Sequence, residues 1–216
     1  MDREDRNRSM NKSFMVIGIG RFGRAVALEL EQSGVEVIAI DKSEEKVNRI
    51  ADYVTMAAAV DVRDEGKLSK LGIANVDGII ICITADTDAS AIAVMAGREA
   101  EVPYIFAKAK DELHQKMLKK LGADEVMVPE CISGIRLARN LIYDNLKDVI
   151  EFSNRFQMLE IIPKREWIGK TLKELNIRQK MKMNVVAIRK NGEFVLQFDP
   201  AVPLKKEETL LVIKSL

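Results

Sequence analysis

The stretch Phe14-Met15-Val16-Ile17-Gly18-Ile19-Gly20-Arg21-Phe22-Gly23 constrains this chain more than any other. An apolar run enters G-x-G-x-x-G, a helix-forming segment follows over residues 24–32, and a second apolar run over 35–40 stops at Asp41. Glycines alone occur in many loops. Strand, glycine turn, helix and acid-ended strand in this order are the full context of a dinucleotide-binding βαβ unit. Gly18 permits the tight turn, Gly20 lets backbone approach a phosphate, and Gly23 allows the helix to close on the strand. The free N–H groups and positive dipole end of that helix attract the phosphate. A carboxylate at Asp41 can accept hydrogen bonds from a ribose. An adenine nucleotide site is therefore expected in the first half of the chain.

At 216 residues the chain has room for one full α/β domain and a small second one. Its 34 Lys and Arg nearly cancel its 33 Asp and Glu, so no global field points to nucleic acid or an anionic membrane. Aromatic residues make up only 5 %, too few for a base-stacking platform on single strands. Cys82 and Cys131 lie far apart and form no C-x-x-C, which argues against a zinc site or a disulfide framework. A reducing, cytoplasmic compartment fits this usage. Residues 1–13 alternate acidic and basic side chains without an apolar core and read as a disordered tail, neither signal peptide nor anchor. The longest apolar runs, such as 78–85, are far too short to span a bilayer. Any link to a membrane would come through a partner.

Strand-like runs at 14–17, 35–40, 54–57, 78–83, 104–107 and 125–128 are short and continuously apolar, as in a parallel sheet covered on both faces. Helical segments at 21–32, 43–51, 64–71, 86–101 and 111–121 alternate with them. In the fourth, Ala89, Ile92, Ala93, Ala96 and Ala100 recur at helical spacing. The pattern predicts a Rossmann-like doubly wound α/β domain over residues 14–148. A further helix is expected over 132–146, with Ile132, Ile135, Ala138, Ile142 and Leu146 on one face and Leu137 and Leu141 nearly opposite. Such a helix is either an ordinary buried one or one sandwiched between two bodies. Residues 149–154 read as a linker. Residues 155–216 read as a small α+β lobe with strands at 156–162, 184–189, 193–198 and 209–213, a helix at 170–175 and a hairpin turn at 190–192.

Catalytic signatures are scarce. His114, the only histidine, lies among Gln115, Lys116 and Lys119 and reads as a solvated surface residue. No G-x-S-x-G, Cys–His pairing or H-E-x-x-H occurs, which favours a nucleotide that is ligand rather than reagent. Arg21 either forks onto a β- or γ-phosphate or simply faces solvent in the first helical turn, where the dipole disfavours it unless an anion is present. Glu130 after Pro129 is either a carboxylate placed well at a helix start or a ligand for a hard cation. Lys108, at the end of the fifth strand, either neutralises phosphate charge or lies on the surface. Cys82 and Cys131 read as small buried hydrophobes.

Gly20-Arg21-Phe22-Gly23, Asp41, Thr84-Ala85-Asp86, Leu121-Gly122-Ala123-Asp124 and Pro129-Glu130 together resemble one pattern. It is that of the cytosolic regulatory subunits of Ktr/Trk potassium-uptake systems, the RCK (KTN) domain family, closest to the Ktr type. The resemblance runs from about Phe14 to Leu216 and includes the smaller RCK-C lobe. It implies a non-enzymatic homo-oligomer, dimers assembled into an octameric ring, peripheral at the inner face of the cell membrane beneath a potassium-translocating subunit. ATP would favour the active ring and ADP the inactive one. Trk-type relatives bind NAD(H), which stays open here because Asp41 suits any unmodified ribose. Carried over by position, Gly18, Gly20, Arg21, Phe22 and Gly23 would surround the phosphates and Asp41 would hold the ribose. Asp61 and Val62 would border the adenine, and Thr84 and Lys108 would close the site. Thr84 stands where many relatives have glycine. Glu130 would help hold a divalent or sodium ion, and Asn176 and Arg178 would contact cyclic di-AMP in the C-terminal lobe. The alternative from another class is an NAD-dependent oxidoreductase acting on a small substrate.

Overall fold

Along the first strand, β1 (Ser13–Ile17), successive side chains enter two different cores. Met15 and Ile17 are fully buried with Ile79, Ile81 and Ile105 on one face of the sheet. Val16 joins Val37, Ala39 and Ile80 on the other. A strand apolar on both faces belongs in the middle of a sheet. β1 lies there, flanked by β2 (Glu36–Asp41) and β4 (Gly78–Ile81). With β3 (Met56–Ala59), β5 (Ile105–Lys108) and β6 (Glu125–Met127) the order is β3-β2-β1-β4-β5-β6, every pairing parallel. Truncating Ile17 to alanine would remove contacts worth about 2–5 kcal/mol at the centre of this sheet.

The computed structural model describes residues 12–142, 146–153 and 156–215. They fall into two compact units, Met1–Glu130 and Cys131–Leu216. In the first, the sheet is covered by α1 (Arg21–Gln32), α2 (Glu44–Asn48), α3 (Glu65–Lys70), α4 (Thr87–Glu99) and α5 (Glu112–Lys120). The doubly wound parallel sheet expected from the alternating pattern is thus present. Ala89 and Ala93 of the α4 stripe are buried in the larger core, with Ala96 and Ala100 packed against it. Asp86 and Asp111 cap α4 and α5, accepting from the backbone N–H groups of Ala89 and His114, each cap contributing about 1 kcal/mol.

His114 is not a surface residue. It is 2 % exposed, because α5 turns it together with Leu118 toward the core while its lysines face outward. Its Nε2 lies 2.8 Å from Ser90 Oγ. That hydroxyl donates to the Thr87 carbonyl at 2.7 Å, so the imidazole nitrogen must be the donor to Ser90. Nδ1 accepts from the Lys110 N–H at 3.2 Å. Cys131, expected to be buried, is by contrast exposed. Most of the expected tail, residues 1–11, lies outside the described residues.

Helix α6 (Pro129–Ile142) ends four residues before Leu146, which belongs to the next strand. Ile132, Ile135, Leu137, Leu141 and Ile142 are all exposed on it. The second unit's sheet contains β7 (Leu146–Ser153), β8 (Phe156–Ile161), β9 (Met183–Lys190), β10 (Glu193–Val195) and β11 (Thr209–Ser215). They run antiparallel in the order β10-β9-β11-β8-β7. Most of the stretch expected as a linker, 149–154, therefore lies in β7, paired with β8. Lys147, Asp148 and Glu151 interrupt the apolar pattern there, so only the partner strand reveals it.

One face of this sheet packs on Trp167, Leu204 and the short helices α7 (Leu172–Leu175) and α8 (Ile177–Met181), through Leu175 and Ile177. α7 starts with a capping box between Thr171 and Glu174. Asn191 and Gly192 both have positive φ, 51° and 88°, as a two-residue hairpin turn with right-twisted strands requires. Glu160 is buried among Thr209, Lys147 and Arg189. Burial opposes its ionisation, but these three donors outweigh burial and hold its carboxyl below the ordinary range.

Candidate functional site

Strand order reverses at β1, since the chain proceeds outward to β2 and β3 and then returns to β4 on the other side. In open α/β sheets the loops beyond such a switch point diverge and leave a crevice. A cleft of about 270 Å³ lies at these strand ends. Gly18, Gly20, Asp41, Asp61, Val62 and Thr84 all line it, and so do Lys46, Arg63 and Asp86.

The glycine turn is built by close approach. Gly18 has φ 95°, a left-handed conformation that disfavours other residues. A Cβ on Gly23 would collide with the Gly18 carbonyl oxygen, whereas one on Gly20 would meet nothing within 4 Å. Gly23 is thus required by the protein's own packing, and Gly20 is required only if something must approach the turn. α1 has Gly20 as its N-cap, with no side-chain cap and no acid in its first turn. Its positive end is left to attract an anion.

Asp41 is buried and ties the turn to the second strand. Its Oδ2 accepts from the Ile19 N–H at 2.8 Å, its Oδ1 from the Ser43 N–H at 2.9 Å, and Lys46 Nζ lies 3.1 Å from Oδ2. Lys46 also reaches Oδ1 at 3.4 Å, so all of the carboxylate's acceptor positions are engaged and a ribose hydroxyl would have to take the place of the half-exposed Lys46 ammonium.

Arg21, Phe22 and Lys108 do not line the cleft. Phe22 stacks on Phe106 with centroids 6.4 Å apart, and Lys108 Nζ sits 5.5 Å above the Phe22 ring. Lys108 is paired with Glu130 at 2.6 Å. That hydrogen bond, the Glu130 backbone and the charges of Lys108 and Arg21 hold the Glu130 carboxyl below its ordinary value. Cys82 lines the cleft, and burial pushes its thiol up to about 12. It remains protonated and unreactive. Among the described residues no group of three or more His, Cys, Asp or Glu could hold a metal ion. Glu130 does not by itself make a cation cage.

In the second unit Asn176 joins α7 to α8 in a left-handed conformation and donates to the Gln179 side chain at 2.9 Å. Arg178 is exposed on α8. The sequence reading missed Lys46, Arg63 and Asp86 as cleft residues. Asp86 stands in the Thr84-Ala85-Asp86 motif, whereas Arg63 meets Asp86 across 23 residues and has no local signal.

The family models decide the affiliation. The TrkA-N domain matches residues 14–129 and the TrkA-C domain residues 157–215. This chain belongs to the TrkA family. Within that family it is 34 % identical over 206 residues to the Ktr system potassium uptake protein A of Bacillus subtilis, covering 95 % of this chain and 93 % of the relative. It is 36 % identical, with the same coverage, to the Ktr system potassium uptake protein C of the same organism. The TrkA-family fold also superposes on the GsuK RCK domain (TM-score 0.67, 19 % identity, 94 % of this chain and 45 % of that one). For the GsuK channel bound to NAD the TM-score is 0.66 at 18 % identity, with 94 % and 37 % covered. This chain therefore spans less than half of either GsuK chain. No helix among the described residues is long and apolar enough to cross a membrane.

Proposed function

We propose that this chain is a nucleotide-sensing regulatory subunit of a potassium-uptake system, acting on a separate membrane subunit. The observation that carries this reading is the uncapped glycine turn of α1, braced by Asp41 at the strand switch point, in a chain similar over nearly its whole length to Ktr potassium uptake proteins. The turn takes phosphate, Asp41 the ribose, and Asp61 and Val62 border the base. Two ligands that bind two conformations unequally shift the balance between them. ATP and ADP differ only at the γ-phosphate, so discrimination falls to Arg21 and Lys108 beyond the turn. The nucleotide is sensed, not turned over.

The exposed apolar side chains of α6 favour a homo-oligomer, for which a dimer is the building unit and an octameric ring the working assembly. The protein would sit in the cytoplasm against the inner membrane face through its partner. A divalent or sodium ion at Glu130 would first have to displace the Lys108 ammonium and would draw its other oxygens from nucleotide phosphates. Cyclic di-AMP near Asn176 and Arg178 is the second ligand of this reading. NAD(H) is the alternative occupant of the cleft, supported by Asp41 and by the NAD-bound state of the GsuK channel. A thermal-shift comparison of ATP, ADP, NADH and cyclic di-AMP tests the assignment, which predicts stabilisation by ATP and ADP above that by NADH.

A further inference from the structure

Two loops meet across the cleft in a way that neither the glycine turn nor Asp41 explains. Arg63, in the loop between β3 and α3, is gripped from two sides. Its Nη2 donates to both carboxylate oxygens of Asp86, at 2.9 and 2.8 Å, and its Nη1 lies 3.3 Å from each oxygen of Asp61. Both carboxylates are themselves fixed. Asp86 accepts from the Ala89 N–H at 3.0 Å, and Asp61 accepts from the Arg63 N–H at 3.0 Å. Hydrogen bonding to Asp86 raises the guanidinium further above its ordinary value, and Arg63 in turn holds the Asp86 carboxyl below its ordinary range.

An exposed ion pair of this kind adds little to folding stability. Its geometry is more telling. A guanidinium held along its edges has its N–H fork engaged in the plane, and its flat faces remain for a π-system. The three residues line the cleft beside Val60, Val62 and Ala85. With phosphate at the end of β1 and ribose at the end of β2, the base falls by the loop after β3, where Arg63 stands.

We propose that Arg63, braced by Asp61 and Asp86, is the purine platform of the cleft, its guanidinium face stacking on the base of the bound adenine nucleotide. The proposal rests on the nucleotide reading above. It makes Arg63 a determinant of base affinity that is indifferent to phosphate number. Because both braces are supplied by the chain itself, little ordering is left for the ligand to impose.

Calorimetry on the full chain with ATP, ADP, AMP and adenosine tests it, using the wild type, Arg63→Ala, Arg63→Lys and Asp86→Asn. Arg63→Ala is expected to weaken all four ligands by a similar factor, about tenfold. Lysine at this position restores charge but no flat face, so Arg63→Lys should not recover the loss. Asp86→Asn keeps a capping oxygen on α4 but loosens the brace, and should give a smaller loss common to all four ligands. Unfolding midpoints near the wild-type value for Arg63→Ala and Asp86→Asn confirm that the fold is intact. Unchanged affinity in Arg63→Ala, recovery by lysine, or a loss confined to ATP and ADP would each overturn the proposal while leaving the nucleotide site standing. A wild-type chain that binds none of the four overturns the nucleotide reading itself.

Discussion

The Lys108 ammonium and the Glu130 carboxylate lie 2.6 Å apart, and the cation is the more enclosed partner, 12 % exposed against 66 %. Lys108 also faces the Phe22 ring, directly after the glycine turn's first arginine. In the proposed site Lys108 would serve as a phosphate donor, and Glu130 already engages it. Binding of a polyphosphate would then compete with Glu130 for Lys108. In the absence of divalent ions, Glu130→Gln is expected to raise ATP and ADP affinity roughly fivefold, and Lys108→Gln to lower it about tenfold. Titration calorimetry in chelator measures both. Weaker binding by Glu130→Gln under these conditions would remove the competition.

Arg21 lies at the start of α1 with no acid in that first turn to offset it. If it reads the terminal phosphate, Arg21→Ala should weaken ATP by about tenfold or more and ADP by much less. Competition between the two nucleotides on the variant measures the ratio directly. Equal losses would assign Arg21 to general electrostatics.

The two later glycines of the turn should respond differently to alanine. Gly23→Ala drives a Cβ into the Gly18 carbonyl, overpacking that costs about 1–3 kcal/mol and lowers the melting temperature by roughly 2–4 °C per kcal/mol. Gly20→Ala meets open space and should melt close to the wild type while losing nucleotide affinity. Melting curves with and without ATP separate the two effects.

Burial and the nearby Lys110 charge hold the His114 imidazole below its ordinary value of 6.5, with Asp111 opposing them weakly. A depressed folded value means that the unfolded chain takes up the proton first. Stability is fully present above 6.5 and declines as pH falls from there through the folded value. The melting temperature of the first unit should therefore drop as pH is lowered below 6.5, and His114→Gln should flatten that slope. A wild-type slope no steeper than the variant's would contradict the buried neutral imidazole.

Much of the first unit is legible in the sequence because its signals are local. The run 14–17 and its glycines specify β1, the turn and α1 within twenty residues, and Asp41 ends the next strand. What was missed depends on partners far along the chain. Lys147 and Glu151 disguise β7 until β8 pairs with it. α8 follows a left-handed Asn176 that looks like a helix stop. His114 sits in a lysine-rich segment and is buried only because Ser90 comes to meet it. Arg63 gains a fixed orientation only from Asp86, which arrives on another loop. Pattern reveals where the chain bends and what it covers, whereas the clasp across the cleft emerges only once the loops have converged.

The most direct test of the central claim is titration of ATP into the full chain by calorimetry, with the nucleotide recovered and analysed afterwards. The account predicts saturable binding at one site per chain, lost in Gly20→Ala, and ATP returned intact. No heat with ATP, ADP or NADH, or ATP returned hydrolysed at a rate that scales with protein, would contradict a cleft that senses its nucleotide without consuming it.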